Sequence, residues 1–112
     1  MGTNRRIRLY RTGHVAVDGR LLNAVTREGS IFPVLTGGES AFIGYVDDIE
    51  AEEDGWVTGV IHTDWPVRGM SAEASMDQVS VVRMGDDMLG IDGRLRGIWL
   101  GYTPCWEGMV IT

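Results

Sequence analysis

The sequence contains no lysine, so all ten of its basic residues are arginine. The simpler explanation is a GC-rich coding sequence, because most arginine codons are GC-rich and lysine codons are not. The other explanation is selection for planar, bidentate contacts, which arginine makes and lysine does not. The two explanations are compatible, and the second predicts that some of these arginines contact anionic groups.

Cysteine and histidine are also scarce, which limits the possible disulfide and metal sites. A single cysteine, Cys105, excludes an internal disulfide framework. Structural zinc needs four nitrogen or sulfur ligands, and Cys105 with His14 and His62 supplies three at most. The acidic run at residues 47–54 lacks the ordered spacing of a calcium loop and is interpreted as a solvated acidic hairpin. We therefore predict no metal and no cofactor, and no glycine-rich phosphate-binding motif occurs either.

Long apolar runs are absent, and this bears on membranes. The longest uninterrupted apolar stretches have only a few residues, far below the roughly 18 that span a bilayer. No apolar stretch follows the N-terminal arginines, and Arg6 stands where a myristoylation signal needs serine or threonine. We therefore expect one compact domain, made inside the cell and without a membrane partner.

Charge is distributed unevenly along the chain. Residues 1–27 carry six arginines against one aspartate, a net charge of +5, whereas residues 28–112 carry four arginines against fifteen acids, a net charge of −11. This pattern predicts a basic N-terminal arm, residues 1–11, on a single domain, residues 12–112. The expected partner is another copy of the chain or a different acidic protein, because the acidic body repels the phosphates of a nucleic acid. The candidate partner-binding residues of the arm are Arg5, Arg6, Arg8, Tyr10 and Arg11.

Most of the sequence has the pattern of short β-strands, in which apolar segments alternate with clusters of Gly, Asp and Asn. Asp-Gly pairs at residues 18–19, 54–55 and 92–93 predict hairpin turns. We predict a mainly β fold, a compact antiparallel β-barrel or β-sandwich with at most one short helix, Ser71–Asp77. The predicted strands are residues 6–10, 15–17, 23–25, 31–35, 41–49, 56–62, 79–84, 88–91, 94–102 and 109–111.

Two residues, Ser71 and His62, are the candidates for nucleophilic catalysis. A catalytic serine needs a base within hydrogen-bonding reach, and the base needs a group to orient it. His62 and Ser71 could lie on adjacent strands joined by residues 63–69. The alternative is that His62 is a half-buried residue on one face of its strand.

Four pieces of the sequence follow one another in an informative order: Ala41–Glu50, Asp54–Ile61, Gly69–Glu73, and Gly93–Leu100 followed by Thr103–Trp106. This order resembles that of the prohead, or capsid maturation, proteases of tailed phages. In that family the corresponding segments are an Ile-Gly strand with an acidic turn, the next strand, the segment of the catalytic serine, and a closing strand with its proline-containing end. The resemblance covers residues 31–112 and implies a β fold of this protease type, with Ser71 at the position of the nucleophile.

Two departures from the family pattern bear on function. The place of the family's catalytic histidine is occupied by residues 32–40, which contain no histidine. The helix that precedes the serine segment in the family is also missing, since only residues 63–68 join Ile61 to Gly69. Without a base the Ser71 hydroxyl is a poor nucleophile. The resemblance therefore implies a protease-like fold that has lost catalysis and kept a structural role.

Tryptophan is frequent, with four in the chain, and this residue type is enriched at interface hot spots. Trp65 and Trp106 lie in predicted loops and are candidate partner-binding residues. Trp56 and Trp99 lie in the middle of predicted strands and are expected in the core. The alternative is that all four fill the core.

Together these features favour a non-enzymatic structural protein of a bacteriophage virion. We expect a capsid decoration or stabilising protein on the exterior of the capsid, made in the host cytoplasm. It is expected to form a small homo-oligomer and to bind the major capsid protein through the basic arm and the loop tryptophans. Two alternatives stay open: an active serine-type maturation protease using Ser71 with His62, and a tail or neck component or other binding module.

Overall fold

The computed structural model describes residues 3–25, 29–36, 41–85 and 88–112. These residues form seven β-strands and one turn of 3-10 helix, Glu53–Gly55, which is too short to cross a bilayer. The strands are β1 (Thr3–Arg11), β2 (Arg20–Val25), β3 (Phe32–Thr36), β4 (Ala41–Ala51), β5 (Trp56–Thr63), β6 (Ser71–Arg83) and β7 (Leu89–Gly101).

The seven described strands join in one mixed sheet. Its hydrogen-bonded order is β1-β5-β4-β3-β7-β2, and β6 also pairs with β7. Because β6 follows one edge of β7 along nearly its whole length, β2 and β3 share the other edge, against Leu89–Arg94 and Ile98–Leu100 respectively. The prediction of a mainly β fold is confirmed. The sheet is mixed rather than wholly antiparallel as predicted, because β2 and β3 reach β7 through long connections and run parallel to it.

The helix predicted at Ser71–Asp77 is wrong, because these residues begin β6. Ala72 is 1% exposed and Ala74 packs against the core, whereas Glu73 is exposed. This alternation of inward and outward residues is the period of a strand. A weak local preference for one helical turn is overridden by pairing with the long β7.

The predicted turns agree with the structure in part. Asp54-Gly55 does join β4 to β5, and both residues have positive φ, 64° and 84°. Asp18-Gly19 forms a turn, with Gly19 donating to the Ala16 carbonyl, but it does not join two paired strands. Asp92-Gly93 lies inside β7 and makes no turn.

The sheet curls into a half-barrel, and the C-terminal segment, residues 105–112, bridges β1 to the start of β6. Backbone hydrogen bonds of 2.7 and 2.8 Å join Ile111 to Gly69 and Met70. On the other side, Arg8 of β1 donates to the carbonyl of Gly108 at 2.9 Å. The inner face of the curl is therefore covered by the chain's own end, and residues of this segment belong to the core: Cys105, Trp106, Met109 and Ile111.

Residues 3–11 are part of the sheet and do not form a separate arm. β1 pairs antiparallel with β5 from Thr3 to Arg11. Ile7, Leu9 and Tyr10 of this strand are 5%, 0% and 1% exposed. The division into an arm and a domain is therefore wrong, because the charges of β1 alternate with side chains that complete the core.

Candidate functional site

A row of apolar side chains crosses the outer face of the sheet. The register places Leu35 of β3 opposite both Phe42 of β4 and Trp99 of β7. Side chains at opposed positions project from the same face, and the adjacent Val34 and Ile98 are fully buried on the other face. Leu35, Phe42 and Trp99 therefore lie together on the side of the sheet that faces away from the core.

A second row lies beside the first. Pro33 is opposite Tyr45, and Tyr45 is opposite His62 of β5. The Tyr45 and His62 rings stack, with centroids 4.5 Å apart and planes inclined by 13°. Phe42 is 73% exposed and Tyr45 is 43% exposed. We call the two rows the outer aromatic band, which comprises Pro33, Leu35, Phe42, Tyr45, His62 and Trp99.

A groove runs along the β7 side of this band, and we call it the outer groove. It consists of two adjoining hollows of about 320 and about 300 Å³, which share Ser75, Arg96 and Trp99 as lining residues. Gly97 lines the larger hollow, and a Cβ at this position would lie 3.3 Å from the Pro33 carbonyl oxygen. Glycine thus permits the close approach of β7 to β3 and leaves the groove open above the backbone.

The two charged residues that line the outer groove differ in whether an opposite charge lies beside them. The Arg96 side chain donates to Ser75 Oγ at 3.2 Å, and within the described residues no carboxylate forms an ion pair with it. Glu73, which also lines the groove, lies 3.5 Å from an Arg20 nitrogen. Arg20 is held in turn by Asp18 at 2.6 Å. Glu73 is therefore partly neutralised, whereas Arg96 presents its charge to the groove.

Arg20 also lies 3.9 Å from the sulfur of Cys105, which is buried. Burial, assisted by the charge of Glu73, raises the pKa of the Cys105 thiol. Burial acts to lower the pKa of Arg20, but the attraction and hydrogen bond of Asp18 outweigh it, so that the net direction is upward. The thiol is therefore neutral at neutral pH and is a weak nucleophile.

The structure does not bring His62 and Ser71 together. Both ring nitrogens of His62 are engaged, Nδ1 with Asn4 Oδ1 at 2.8 Å and Nε2 with Asp47 Oδ1 at 2.7 Å. Ser71 is 2% exposed, and its Oγ has no hydrogen-bond partner in the described part of the chain. The strands of His62 and Ser71, β5 and β6, do not pair with each other in the sheet. This geometry supplies no base to Ser71.

Arg8 and Arg11, predicted as partner-binding residues, make contacts within the chain. Their guanidinium carbons lie 4.4 and 4.9 Å from the centre of the Trp56 ring. Such cation–π contacts contribute on the order of 0.5–1 kcal/mol each at exposed sites. Arg8 also donates to Gly108 and Arg11 to the Asp54 carbonyl, each at 2.9 Å. Both side chains therefore tie β1 to neighbouring segments.

The other predicted residues of the arm are engaged similarly. Arg5 donates to the Thr112 backbone oxygen at 2.6 Å, and Arg6 forms an ion pair with Asp48. Tyr10 is buried in the core. None of these three residues lines the outer groove, so the basic strand β1 and the outer groove are separate surfaces.

The tryptophans are arranged differently from the prediction. Trp106 is 6% exposed, packs edge-on against Trp56 with centroids 6.4 Å apart, and donates to the His14 carbonyl at 2.9 Å. Trp106 is thus a core residue, as is Trp56, whereas Trp65 is 49% exposed as expected for a loop. Trp99 is only partly buried and lines the outer groove, so its prediction as a core residue is wrong.

The outer aromatic band was missed, although the sequence carries a signal for it. Residues 31–35 and 98–100 are continuously apolar instead of alternating. Continuous apolar strands are typical of sheets covered on both faces. In the described structure β3 and β7 have one covered face, so the second apolar face of each strand is left at the surface.

Among the described residues, no three His, Cys, Asp or Glu side chains lie close enough together to hold a metal ion. No protein-family model, no curated protein and no solved structure matches this chain.

Proposed function

We propose that this protein is a structural component of a tailed-phage particle, a capsid decoration protein that binds the outer surface of the head. The proposed partners are the major capsid protein and further copies of the chain, in a small homo-oligomer. The order of segments that resembles the prohead proteases supports the phage assignment. We propose no catalytic role for Ser71, since His62 is bound to Asn4 and Asp47.

The observation that carries the binding role is the outer aromatic band. Clusters of apolar and aromatic side chains at the surface are typical of interaction sites. Aromatic residues and arginine are the types enriched at protein interfaces. Phe42, Trp99 and Arg96 occur together at the outer groove, whereas the arginines of β1 are engaged within the chain. We therefore assign partner binding to the band rather than to the basic strand.

Mass spectrometry of purified particles tests the proposal. A decoration protein is expected at a copy number comparable to that of the major capsid protein. A few copies per particle would instead identify a tail or neck component, and absence from washed particles would overturn the proposal.

A pair of matched variants tests the assigned surface. Phe42→Ala removes a 73% exposed ring from the band, and Tyr102→Ala removes a 77% exposed ring that does not line the outer groove. In co-sedimentation with undecorated capsids, Phe42→Ala is expected to weaken binding by about tenfold, as for a hot-spot residue. Tyr102→Ala is expected to bind like the unaltered protein. Equal binding by both variants would contradict the role of the band.

A further inference from the structure

We infer that the outer groove binds an extended acidic peptide segment, with a carboxylate on Arg96 and an adjacent apolar side chain on Trp99. The inference rests on the proposed function, because it names the chemistry of the segment that the same surface takes from its partner. It rests on two observations: the unmatched charge of Arg96 and the apolar lining beside it.

Arg96 is placed to receive a carboxylate. Arginine has five N–H donors in a planar fork, which matches the two oxygens of a carboxylate. The contact with Ser75 Oγ, at 3.2 Å, uses one nitrogen and orients the side chain along the groove. Within the described residues no acid pairs with Arg96, although acids outnumber basic residues in the chain as a whole. Its remaining donors are therefore available to a ligand.

The one carboxylate that lines the groove does not compete strongly for this site. Glu73 lies 3.5 Å from Arg20, which offsets its charge. Glu73 is also directly opposite Trp99 in the β6–β7 register, whereas Ser75, the partner of Arg96, is opposite Gly97. The register shifts after Ser75, so Arg96 has no partner residue on β6 and its side chain reaches Ser75 and not Glu73. Glu73 and Arg96 line the same hollow without forming an ion pair with each other.

The second requirement is an apolar surface next to the charge. Trp99 lines both hollows together with Arg96, and Leu35, Phe42 and Pro33 line the larger one. Aromatic rings arranged in a groove are a recurring way to hold extended peptide segments. Burial of an apolar side chain on such a surface favours binding. An isolated anion would not use this lining, so the ligand has to carry an apolar group beside its carboxylate.

An aromatic face with arginine can also bind single-stranded nucleic acid through base stacking. The charges here favour the peptide. A nucleic acid places a phosphate at every residue along the groove, and these phosphates would approach Glu73 and Asp47, on either side of the band, in a chain of net charge −6. A peptide with a single carboxylate needs a single cation, and Arg96 supplies it.

Degenerate, terminally blocked nonapeptide mixtures test the inference. Two adjacent central positions are fixed, one as Asp, Asn or Lys and the other as Leu, Trp or Ser, and binding is measured on arrays with the full chain. The Asp–Leu and Asp–Trp mixtures are expected to bind at least about fivefold more strongly than those with Asn or with Ser, as expected for a hydrogen bond to a charged group. Lys mixtures are expected to be weakest. A flat profile, no signal, or a preference for Lys would overturn the inference.

Matched variants then assign the preference to the groove. Arg96→Glu is expected to move the preference from Asp to Lys, whereas Arg94→Glu, which makes the same charge change two residues earlier in β7 and outside the groove lining, is expected to keep the Asp preference. Both side chains are exposed, and an unchanged urea midpoint verifies the fold of each variant. A loss of preference in Arg94→Glu but not in Arg96→Glu would place the site elsewhere.

Two further outcomes separate this inference from the proposed function. Binding of a 15-residue oligothymidylate that displaces the Asp–Leu mixture would favour a nucleic-acid site and overturn the inference. Band-dependent capsid binding with no acidic preference would overturn the inference alone. An acidic preference in a protein that is absent from particles would overturn the proposed function and leave the inference standing.

Discussion

The inner and outer faces of the sheet differ in how their apolar side chains are covered. On the inner face Val34 and Ile98 are fully buried, in the same core cluster as Cys105, Trp106, Met109 and Ile111 of the C-terminal segment. On the outer face Arg6 and Arg8 of β1 are engaged by the chain itself. On β4, by contrast, Phe42 and Tyr45 are exposed, and the neighbouring Pro33, Leu35 and Trp99 of β3 and β7 are only partly buried. Within one sheet, the outer-face side chains of β1 are thus paired within the chain, whereas the outer-face apolar side chains of β3, β4 and β7 are left without a covering layer in the described structure.

The cause of this difference is the sequence pattern of the individual strands. In β1 charged residues alternate with apolar ones over residues 6–9. A core on one face of the strand is therefore enough to bury its apolar side chains. β3 and residues 98–100 of β7 are apolar on successive positions, and the described chain covers one face of each. A partner that covers the outer groove would therefore give β3 and β7 the second layer that their sequences are suited to.

Removal of residues 1–11 is expected to have the largest effect, because β1 contributes to both faces. The deletion removes Ile7, Leu9 and Tyr10 from the core and exposes the edge of β5. We expect loss of cooperative urea unfolding, measured by tryptophan fluorescence. A chain that lacks only residues 1 and 2 keeps all of β1 and serves as the control. Cooperative unfolding of the longer deletion would show that these residues are dispensable to the fold.

Two leucines that differ mainly in the face they occupy sharpen the comparison. Leu100→Ala on the inner face, where the side chain is 5% exposed, is expected to lower the free energy of unfolding by about 3 kcal/mol. Leu35→Ala on the outer face is expected to lower it by about 1 kcal/mol, because a partly exposed side chain loses less burial. Urea titration measures both values, and equal losses would indicate that the outer row is as well packed as the core.

The smallest expected effect is on the pH dependence of the free energy of unfolding. It comes from the burial of the Cys105 thiol away from water. Burial raises the pKa of this thiol above its ordinary value of 9.0, so the folded state holds the proton more tightly than the unfolded state. The stabilisation is therefore fully present below about pH 9 and is lost as the pH rises through the higher folded-state value. Between pH 8 and pH 10.5 the unaltered protein is expected to lose more stability than Cys105→Ala. Parallel losses in the two proteins would indicate that water reaches the thiol.

Sequence reasoning predicted the fold class because local patterns determine it. The Asp54-Gly55 turn and the apolar segments of β3, β4 and β5 were all recognisable from spacing. The strand at residues 6–10 was also recognisable, but its charge led to the prediction of a detached arm, since a charge count ignores the intervening Ile7 and Leu9. The predicted segments 15–17 and 109–111 are irregular in the structure.

The candidate site could not be predicted in the same way, because its members come from strands that are distant in the sequence. Leu35, Phe42 and Trp99 become neighbours only when β3 pairs with β4 on one side and with β7 on the other. Spacing had instead suggested that His62 and Ser71 lie on adjacent strands, and the sheet order separates them.

By itself the sequence determined that this chain forms strands and which side chains alternate along each of them, because these properties depend on residues that are close together in the chain. Only the tertiary structure decided which strands are neighbours, that β7 has β6 on one edge and both β2 and β3 on the other, and which apolar faces stay at the surface. The physical reason is that strand pairing depends on how the whole chain buries its apolar surface, which no local window of residues contains.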